Sequence, residues 1–302
     1  MDAVQFCGWG ISVNAILDKG FSMGNSPRQC GKISKIEVMT AKNLSIVIGT
    51  ALIALFVATA LLAPWISRYD PNDIQITQAL LSPSIQHWLG TDQLGRDVWA
   101  RMVYGTRVSL LVSLVAVGIA TLVGLAIGAV SGYYGGWIDA ALMRFNDIML
   151  CFPTFFLILA VIALLEPSLL NIMVIIGLTS WMGVARLVRA EILSLRERDF
   201  IQAARAIGAD DFWILTRHLI PNAMGPVWVS VILGIAGAIS VESGLSFLGI
   251  GVQPPIPSWG NMLLEGKATL GAAWWMSVFP GTAILAIVLA FNLLSEGIRH
   301  SK

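Results

Sequence analysis

One polar interval organises the chain: residues 186–221 read RLVRAEILSLRERDFIQAARAIGADDFWILTRHLIP, between two stretches apolar enough to cross a membrane. Its first half predicts an amphipathic helix that ends in a bend. Asp199 and Gln202 have the spacing of a capping box. A single apolar stripe with small residues at its middle follows at helical spacing, and it comprises Phe200, Ala203, Ala204 and Ile207. Gly208 suits a left-handed C-terminal cap.

The second half of this interval predicts another, short helix. Asp210 and Asp211 favour its start, and Pro221 is expected to stop it. A helix–glycine–helix elbow with a small-residue face is well shaped to insert into a groove on another protein. The alternative is a solvated connector between membrane helices, and the pattern alone favours neither. Residues 186–221 are called the elbow below.

The composition of the 302-residue chain is that of an integral membrane protein. Hydrophobic residues make up 56% and charged residues 12%, and the mean hydropathy is +0.77. Soluble domains carry about 25% charged residues. The net charge of +1 predicts no affinity for nucleic acid. The three cysteines, Cys7, Cys30 and Cys151, form neither a disulfide framework nor a metal-ligand spacing, so no metal site is expected.

Six stretches are long and apolar enough to cross a hydrocarbon core about 30 Å thick. They lie at residues 44–66, 108–132, within 140–165, within 167–185, at 223–250 and at 272–294. The expected fold is therefore all-α with six transmembrane helices, and Asp97 should open an amphipathic helix leading into the second. In that second span, Gly124, Gly128 and Gly132 predict a flat face for close helix packing.

Residues 1–43 differ in composition from the rest and are expected to form a tail, with Met39 as an alternative start. The transmembrane domain then covers residues 44–302. The lysines and arginines set its orientation. With the N-terminus inside, fourteen of them lie on the inner side and five on the outer side. The elbow and both termini are therefore expected to lie in the cytoplasm.

No arrangement of residues predicts an enzyme. The three histidines, His87, His218 and His300, are scattered through loops, and no catalytic triad is recognisable. Around Gly31 and Lys32 the other residues that a phosphate-binding loop needs are missing. The chain is therefore expected neither to bind nor to hydrolyse ATP.

Charged residues inside the membrane are expensive and usually functional. Arg144 and Asp147 are expected to form a structural pair on one helix face. Glu242, in the fifth span, either lines a translocation path or gate or is a buried carboxyl hydrogen-bonded between helices, and both interpretations stay open. A proline-stiffened loop follows this span, so the residues assigned with Glu242 to the path or gate are Ser246, Pro254, Pro255 and Trp259.

Several separated motifs resemble one family of transport proteins. Gln202-Ala203-Ala204, Gly208 and Leu219-Ile220-Pro221 resemble the EAA loop of ABC-importer permeases, whose pattern is Glu-Ala-Ala, three residues, Gly, nine residues and Ile-x-Leu-Pro. Gln202 replaces the glutamate and removes a charge that could pair with a partner. Other motifs resemble the second permease subunit of dipeptide, oligopeptide and nickel importers: HWLGTD at 87–92, GRD at 95–97, MR, DI and FP between 143 and 153, LSFLG at 245–249, PP at 254–255 and WG at 259–260.

This resemblance, which runs from residue 44 to 299, implies the fold of a type I ABC importer in the inner membrane of a bacterial cell. It implies a complex with a second homologous permease, two ATPase subunits that hold ATP and magnesium, an extracytoplasmic binding protein and surrounding lipid. The coupling residues would be Gln202, Ala203, Ala204, Ile207, Gly208, Ala209, Leu219 and Pro221. The solute would be a peptide or a related small molecule, nickel complexes included. The rival interpretation is a secondary transporter or channel subunit without ATPase partners.

Overall fold

The computed structural model describes the backbone of residues 30–165 and 168–299, and the side chains of residues 44–165 and 168–299. Most of the predicted tail, the turn expected at Glu166 and Pro167, and the last three residues lie outside these ranges. Within them the regular structure is helical, apart from one isolated bridge between Thr91 and Asp97.

The helices follow one another along the chain with short connections, apart from the long segment between α2 and α3. They are α1 (Cys30–Leu61), α2 (Ala63–Ile66), α3 (Val98–Tyr134), α4 (Gly136–Cys151), α5 (Thr154–Ile162), α6 (Leu169–Leu178), α7 (Trp181–Arg196), α8 (Asp199–Ala206), α9 (Asp211–Ile214), α10 (Ile220–Phe247), α11 (Trp259–Ala268) and α12 (Trp275–Arg299). A turn of π-helix, Leu215–Leu219, joins α9 to α10.

Five helical segments in the described residues are long and apolar enough to cross a membrane: Leu44–Leu61, Val98–Tyr134, Leu169–Arg196, Asp211–Phe247 and Trp275–Arg299. The sixth predicted span is a bent pair, α4 and α5, whose axes meet at 82°. Phe152 between them has an extended backbone, with φ −88° and ψ 128°. Pro153 favours that conformation in the residue before it, and this explains the break.

The described backbone begins inside the segment that the sequence analysis assigns to the tail. Helix α1 begins at Cys30, so its backbone is already helical within the segment expected to be a tail.

Helix α3 begins where the sequence predicts. The Asp97 carboxylate accepts a hydrogen bond of 2.7 Å from the backbone N–H of Ala100 and caps the helix. From there α3 continues without interruption through the second span, so the predicted amphipathic segment and the span form one helix.

Helix α3 lies at the centre of the membrane domain and packs against α6, α7 and α10. Its three spaced glycines face α7. A Cβ added to Gly128 would lie 2.5 Å from the carbonyl oxygen of Ala185 and 2.8 Å from Cβ of Val188. The backbones therefore approach too closely for any side chain, which confirms the predicted flat packing face.

Candidate functional site

The elbow has a buried face that fixes it to the membrane domain. Ile201 and Ala204 of α8 are buried in a cluster with Val188 and Ile192 of α7 and with Ile214 of α9. The first eleven residues of the elbow are themselves part of α7, which ends only at Arg196. Helix α8 therefore packs against the C-terminal part of α7 and is not part of a free loop.

The opposite face of the elbow is apolar and exposed. Ala204 of the predicted stripe points inward, whereas the other three members point outward, so the stripe is divided between two faces. Ile207 is 84% exposed and Phe212 is 72% exposed. The exposed apolar residues, called the outward face below, are Phe200, Ala203, Ile207, Phe212 and Trp213.

The bend of the elbow depends on backbone conformation and not on space. Gly208 has φ +84°, in the left-handed region that favours glycine, and a Cβ added there would meet nothing within 4 Å. Its N–H donates to the carbonyl of Arg205 at 2.9 Å, and the N–H of Ala209 donates to that of Ala204 at 3.1 Å. The predicted glycine cap is confirmed.

The start of the second helix is also as predicted. The Asp210 carboxylate accepts from the backbone N–H of Phe212 at 3.0 Å and caps α9. This helix is not short, however. The predicted stop at Pro221 is wrong, because α9, the π turn and α10 form one helical segment, Asp211–Phe247. The π turn ends at Leu219, two positions before the proline, and widens the helix where the proline ring would otherwise crowd the carbonyl of Arg217.

The predicted capping box is wrong as well. Asp199 is the first helical residue of α8, and Arg198 at the N-cap makes no side-chain capping bond. The Gln202 amide instead donates to the carbonyl of Arg196 at 3.3 Å. Only Glu197 and Arg198 separate α7 from α8, so the Gln202 amide reaches the open carbonyl at the end of α7 and not the start of its own helix.

Polar contacts tie the elbow to the end of α3. The Tyr133 hydroxyl donates to the Asp211 carboxylate, and the Arg205 guanidinium lies 5.3 Å from the centroid of the tyrosine ring. Arg196 donates to the carbonyl of Tyr133 at 3.1 Å. Displacement of α8 would therefore act on α3 as well as on the helix that follows.

The ion pair predicted within α4 is wrong. Asp147 accepts from Arg186 of α7 at 2.6 Å, and not from Arg144. A second pair joins the same two helices, because Asp139 accepts from Arg189 at 2.5 and 2.6 Å. Helical spacing put Arg144 within reach of Asp147, but packing of α4 against α7 supplied a different arginine.

Glu242 is completely buried and lies among serine hydroxyls. Ser109 of α3 donates to its carboxyl group at 3.1 Å, Ser246 at 2.8 Å and Ser243 at 3.4 Å. This is the geometry of the second alternative, a carboxyl group hydrogen-bonded between helices.

The other residues assigned with Glu242 make several different contacts. The Ser246 hydroxyl also accepts from the N–H of Val252 at 3.0 Å, which holds the loop after α10 against the helix end. Trp259 is fully buried, and its indole N–H donates to the carbonyl of Met102 at 3.2 Å. Pro254 and Pro255 lie exposed in the same loop, joined by a cis peptide bond.

A cluster of four charges near the start of α3 was missed by the sequence reasoning. Asp92 accepts from Arg96 and from Arg101, in each case at 2.6 Å. The Glu265 carboxylate of α11 accepts from Arg96 at 3.1 Å and from Arg101 at 3.0 Å. Apart from Glu265 these side chains are buried. The four-residue spacing of Asp92 and Arg96 could have predicted an ion pair. Glu265 lies 169 residues beyond Arg96, and no local sequence pattern predicts its contact with the two arginines.

No group of three or more histidine, cysteine, aspartate or glutamate residues in the described part of the chain is placed to hold a metal ion.

The long apolar helices around α3, with an anchored elbow between two of them, define a multi-pass membrane protein with a permease fold. The same fold occurs in a solved structure of the MetNI methionine ABC transporter in inward-facing conformations, with a TM-score of 0.51 and 18% sequence identity. The match covers 67% of this chain and 95% of that one.

The sequence comparison gives the family. Residues 124–300 match the model of the binding-protein-dependent transport system inner membrane component, and residues 41–83 match the N-terminal transmembrane domain of oligopeptide transport permease C. The chain belongs to the family of binding-protein-dependent transport system inner membrane components. It is accordingly a transport subunit of the inner membrane.

Similar proteins cover nearly the same length. The chain is 40% identical over 260 residues to the dipeptide transport system permease protein DppC of Alkalihalophilus pseudofirmus, covering 86% of each. It is 39% identical over 253 residues to the probable D,D-dipeptide transport system permease protein DdpC of Escherichia coli, with 84% and 85% covered. A putative peptide transport system permease protein of Brucella suis is 41% identical over 268 residues, with 87% and 90% covered.

Proposed function

We propose that this chain is a permease subunit of an ATP-driven importer of short peptides, and that its elbow transmits the work of separate ATPase subunits to the membrane helices. The observation that carries this proposal is the outward face. It holds large apolar side chains at the junction between two apolar spans, next to charged residues such as Arg198 and Arg205. An apolar surface of this kind, rimmed by polar residues, is typical of a protein–protein contact.

The mechanism follows from how the elbow is anchored. Closure of the ATPase dimer would push on Ala203, Ile207 and the Gly208 bend. The buried face of α8 and the Tyr133 contacts would pass this displacement to α3 and α10, and the spans would switch access from one side of the membrane to the other. ATP and magnesium would be held by the ATPase subunits alone.

The remaining partners belong to the same proposal. A second homologous permease would supply the other half of the pathway, an extracytoplasmic binding protein would deliver the solute, and lipid would surround the spans. Both termini would lie in the cytoplasm. The names of the similar proteins favour peptides as cargo. Nickel complexes are the alternative cargo, and measuring the uptake of nickel beside that of peptides distinguishes the two.

The substitution Gly208→Asp tests the coupling role. It puts a Cβ and a charge at the bend. Beyond the two neighbours in the chain, the Cβ would meet no atom of the described residues within 4 Å, so we expect the protein to fold with a strain of about 1 kcal/mol. Peptide uptake should fall at least tenfold, while the binding protein should still capture peptide. Co-purification of the ATPase subunits measures the contact itself.

Gly136→Asp is the matched control. Gly136 also has a positive φ, +56°, and an added Cβ there would also meet nothing within 4 Å among the described residues, but it lies at the start of α4 and outside the elbow. We expect this variant to keep most of its uptake. Equal uptake by the Gly208→Asp variant and the wild type would contradict the coupling role.

A simpler measurement distinguishes the ATP-driven permease from the rival function, a secondary transporter or channel. A coupled permease should co-purify with nucleotide-binding subunits, and its uptake in vesicles should require ATP. Uptake that proceeds without ATP and without such subunits would favour the rival.

A further inference from the structure

The segment that joins α2 to α3 contains a buried histidine. This segment, residues 67–97, is called the connecting segment below. His87 is 5% exposed, and both nitrogen atoms of its ring face an oxygen atom. Nδ1 lies 2.8 Å from a carboxylate oxygen of Asp97, and Nε2 lies 2.9 Å from the side-chain oxygen of Gln78. The ring therefore lies between two hydrogen-bond acceptors.

Two acceptors require two N–H groups on the ring. A neutral imidazole has one N–H group and one nitrogen lone pair, whereas an imidazolium ion has an N–H group at each nitrogen. A neutral His87 would therefore point a lone pair either at the Asp97 carboxylate or at the Gln78 oxygen. Such a contact is unfavourable at a buried position, because no water is there to replace the missing hydrogen bond. The geometry favours the doubly protonated, positively charged ring.

The charge of Asp97 leads to the same conclusion. Its carboxylate is buried and caps α3, as described above. The two arginines of the four-charge cluster pair with the two carboxylates of that cluster and not with Asp97. Among the described residues, the one ion pair of Asp97 is with His87. A buried carboxylate without a cation is costly, so the positive charge on His87 stabilises the cap of α3.

The other groups around the ring also favour a positive charge. The Tyr69 ring stacks on the His87 ring, with centroids 4.9 Å apart and planes at 29°, and the face of an aromatic ring attracts cations. The charged residues that line the two crevices beside His87 and Asp97 are Arg68, Asp70 and Asp73. They contribute two negative charges against one positive charge. All three are exposed, so solvent and salt weaken their effect.

We propose that His87 forms a pH-dependent contact, which in its doubly protonated form joins Gln78 of the connecting segment to the cap of α3. Loss of one proton leaves the N–H group that faces Asp97 and removes the one that faces Gln78. The contact is therefore complete at low pH and is lost as the pH rises. Histidine is the side chain that normally changes charge between about pH 5 and pH 8. With both termini in the cytoplasm, the connecting segment lies outside, so the contact responds to the pH of the surroundings.

Nuclear magnetic resonance of the purified full chain, with isotope-labelled histidine ring nitrogens, tests the protonation state directly. His87→Gln identifies the signal of His87, because that signal is missing from the variant. Near pH 5 both ring nitrogens of His87 should carry a proton, and one of these protons should be lost as the sample is brought to about pH 8.

Two substitutions of the second acceptor give opposite expectations. Gln78→Leu removes the oxygen that faces Nε2, so the midpoint of the His87 titration should move to lower pH. Gln78→Glu puts a carboxylate there, so the midpoint should move to higher pH. A histidine that only fills space would not respond in both directions.

Thermal unfolding measures what the contact contributes to stability. Between about pH 5 and pH 8 the unfolding temperature of the wild type should fall by about 2–4 °C more than that of the His87→Gln variant. His218→Gln is the control and should keep the wild-type pH dependence, because the described contacts of the His218 ring are with the aromatic rings of Phe200 and Trp213.

Two results would overturn this inference. The first is a His87 ring with a single N–H group over the whole pH range. The second is a titration midpoint that moves to higher pH in Gln78→Leu, because the Gln78 amide would then be donating to a neutral ring. Both are measured without peptide, ATP or partner subunits, so they leave the proposed transport function untouched, and a failure of peptide uptake leaves this inference untouched.

Discussion

At the scale of single residues, Glu242 is held by groups that a neutral amide could also satisfy. Its carboxyl group receives hydrogen bonds from hydroxyls of α3 and α10, and no cation is paired with it among the described residues. We expect Glu242→Gln to retain most of the uptake. Glu242→Ala should lower the free energy of unfolding by about 2–4 kcal/mol, because it leaves a cavity and removes the acceptor of three serine hydroxyls. Thermal unfolding of the purified protein measures this difference.

The two substitutions together separate structure from transport. A residue on the solute path would lose uptake in the glutamine variant while the unfolding temperature stayed at the wild-type value. A structural residue would show the reverse order, with little change for glutamine and a lower unfolding temperature for alanine.

At the scale of helices, the contact between α3 and α7 depends on glycine. We expect Gly128→Val to reduce the free energy of unfolding by at least about 1–3 kcal/mol, since its side chain would overlap the α7 backbone at Ala185. The unfolding temperature of the purified protein is the measurement. Gly118→Val, on the same helix in open space, is the control and should unfold within a degree or two of the wild type. An equal loss in both variants would mean that helix propensity, and not packing, is responsible.

Local sequence signals located the helices well where a single residue decides an end. Asp97, Gly208 and Asp210 each cap as predicted, because capping needs only the neighbouring backbone. The prediction of a helix end at Pro221 was wrong for a related reason. A proline stops a helix only if the turn before it is a regular α-helical turn, and here that turn is π-helical.

The candidate site was predicted only in part. Helical spacing grouped Phe200, Ala203, Ala204 and Ile207, but only packing on α7 decides that Ala204 faces inward. The same limitation applies to ion pairs. The partners of Asp147 and of Arg101 come from other helices, and the sequence contains no signal for either contact.

At the scale of the whole molecule, the balance of lysines and arginines predicts which end faces the cytoplasm. We expect a cysteine at Ile207 to resist a membrane-impermeant thiol reagent in intact cells, and a cysteine at Pro255 to react with it. Both positions are exposed on the chain, so burial within the chain cannot account for a difference. Each variant is made in a chain whose native cysteines have been replaced, and it is expressed without the ATPase subunits, which would cover Ile207. Broken cells, where both positions should react, provide the control. The opposite labelling pattern would reverse the orientation.

The continuous helical segment from Asp211 to Phe247 can convert a small rotation at one end into a larger displacement at the other. Its 37 residues are roughly 55 Å long at the usual rise per residue. If it pivots near its inner end by about 5°, its far end sweeps through about 5 Å, close to one helical pitch. A small rotation of this segment at the α9 end would therefore produce, at the opposite membrane surface, a movement comparable to the width of a solute.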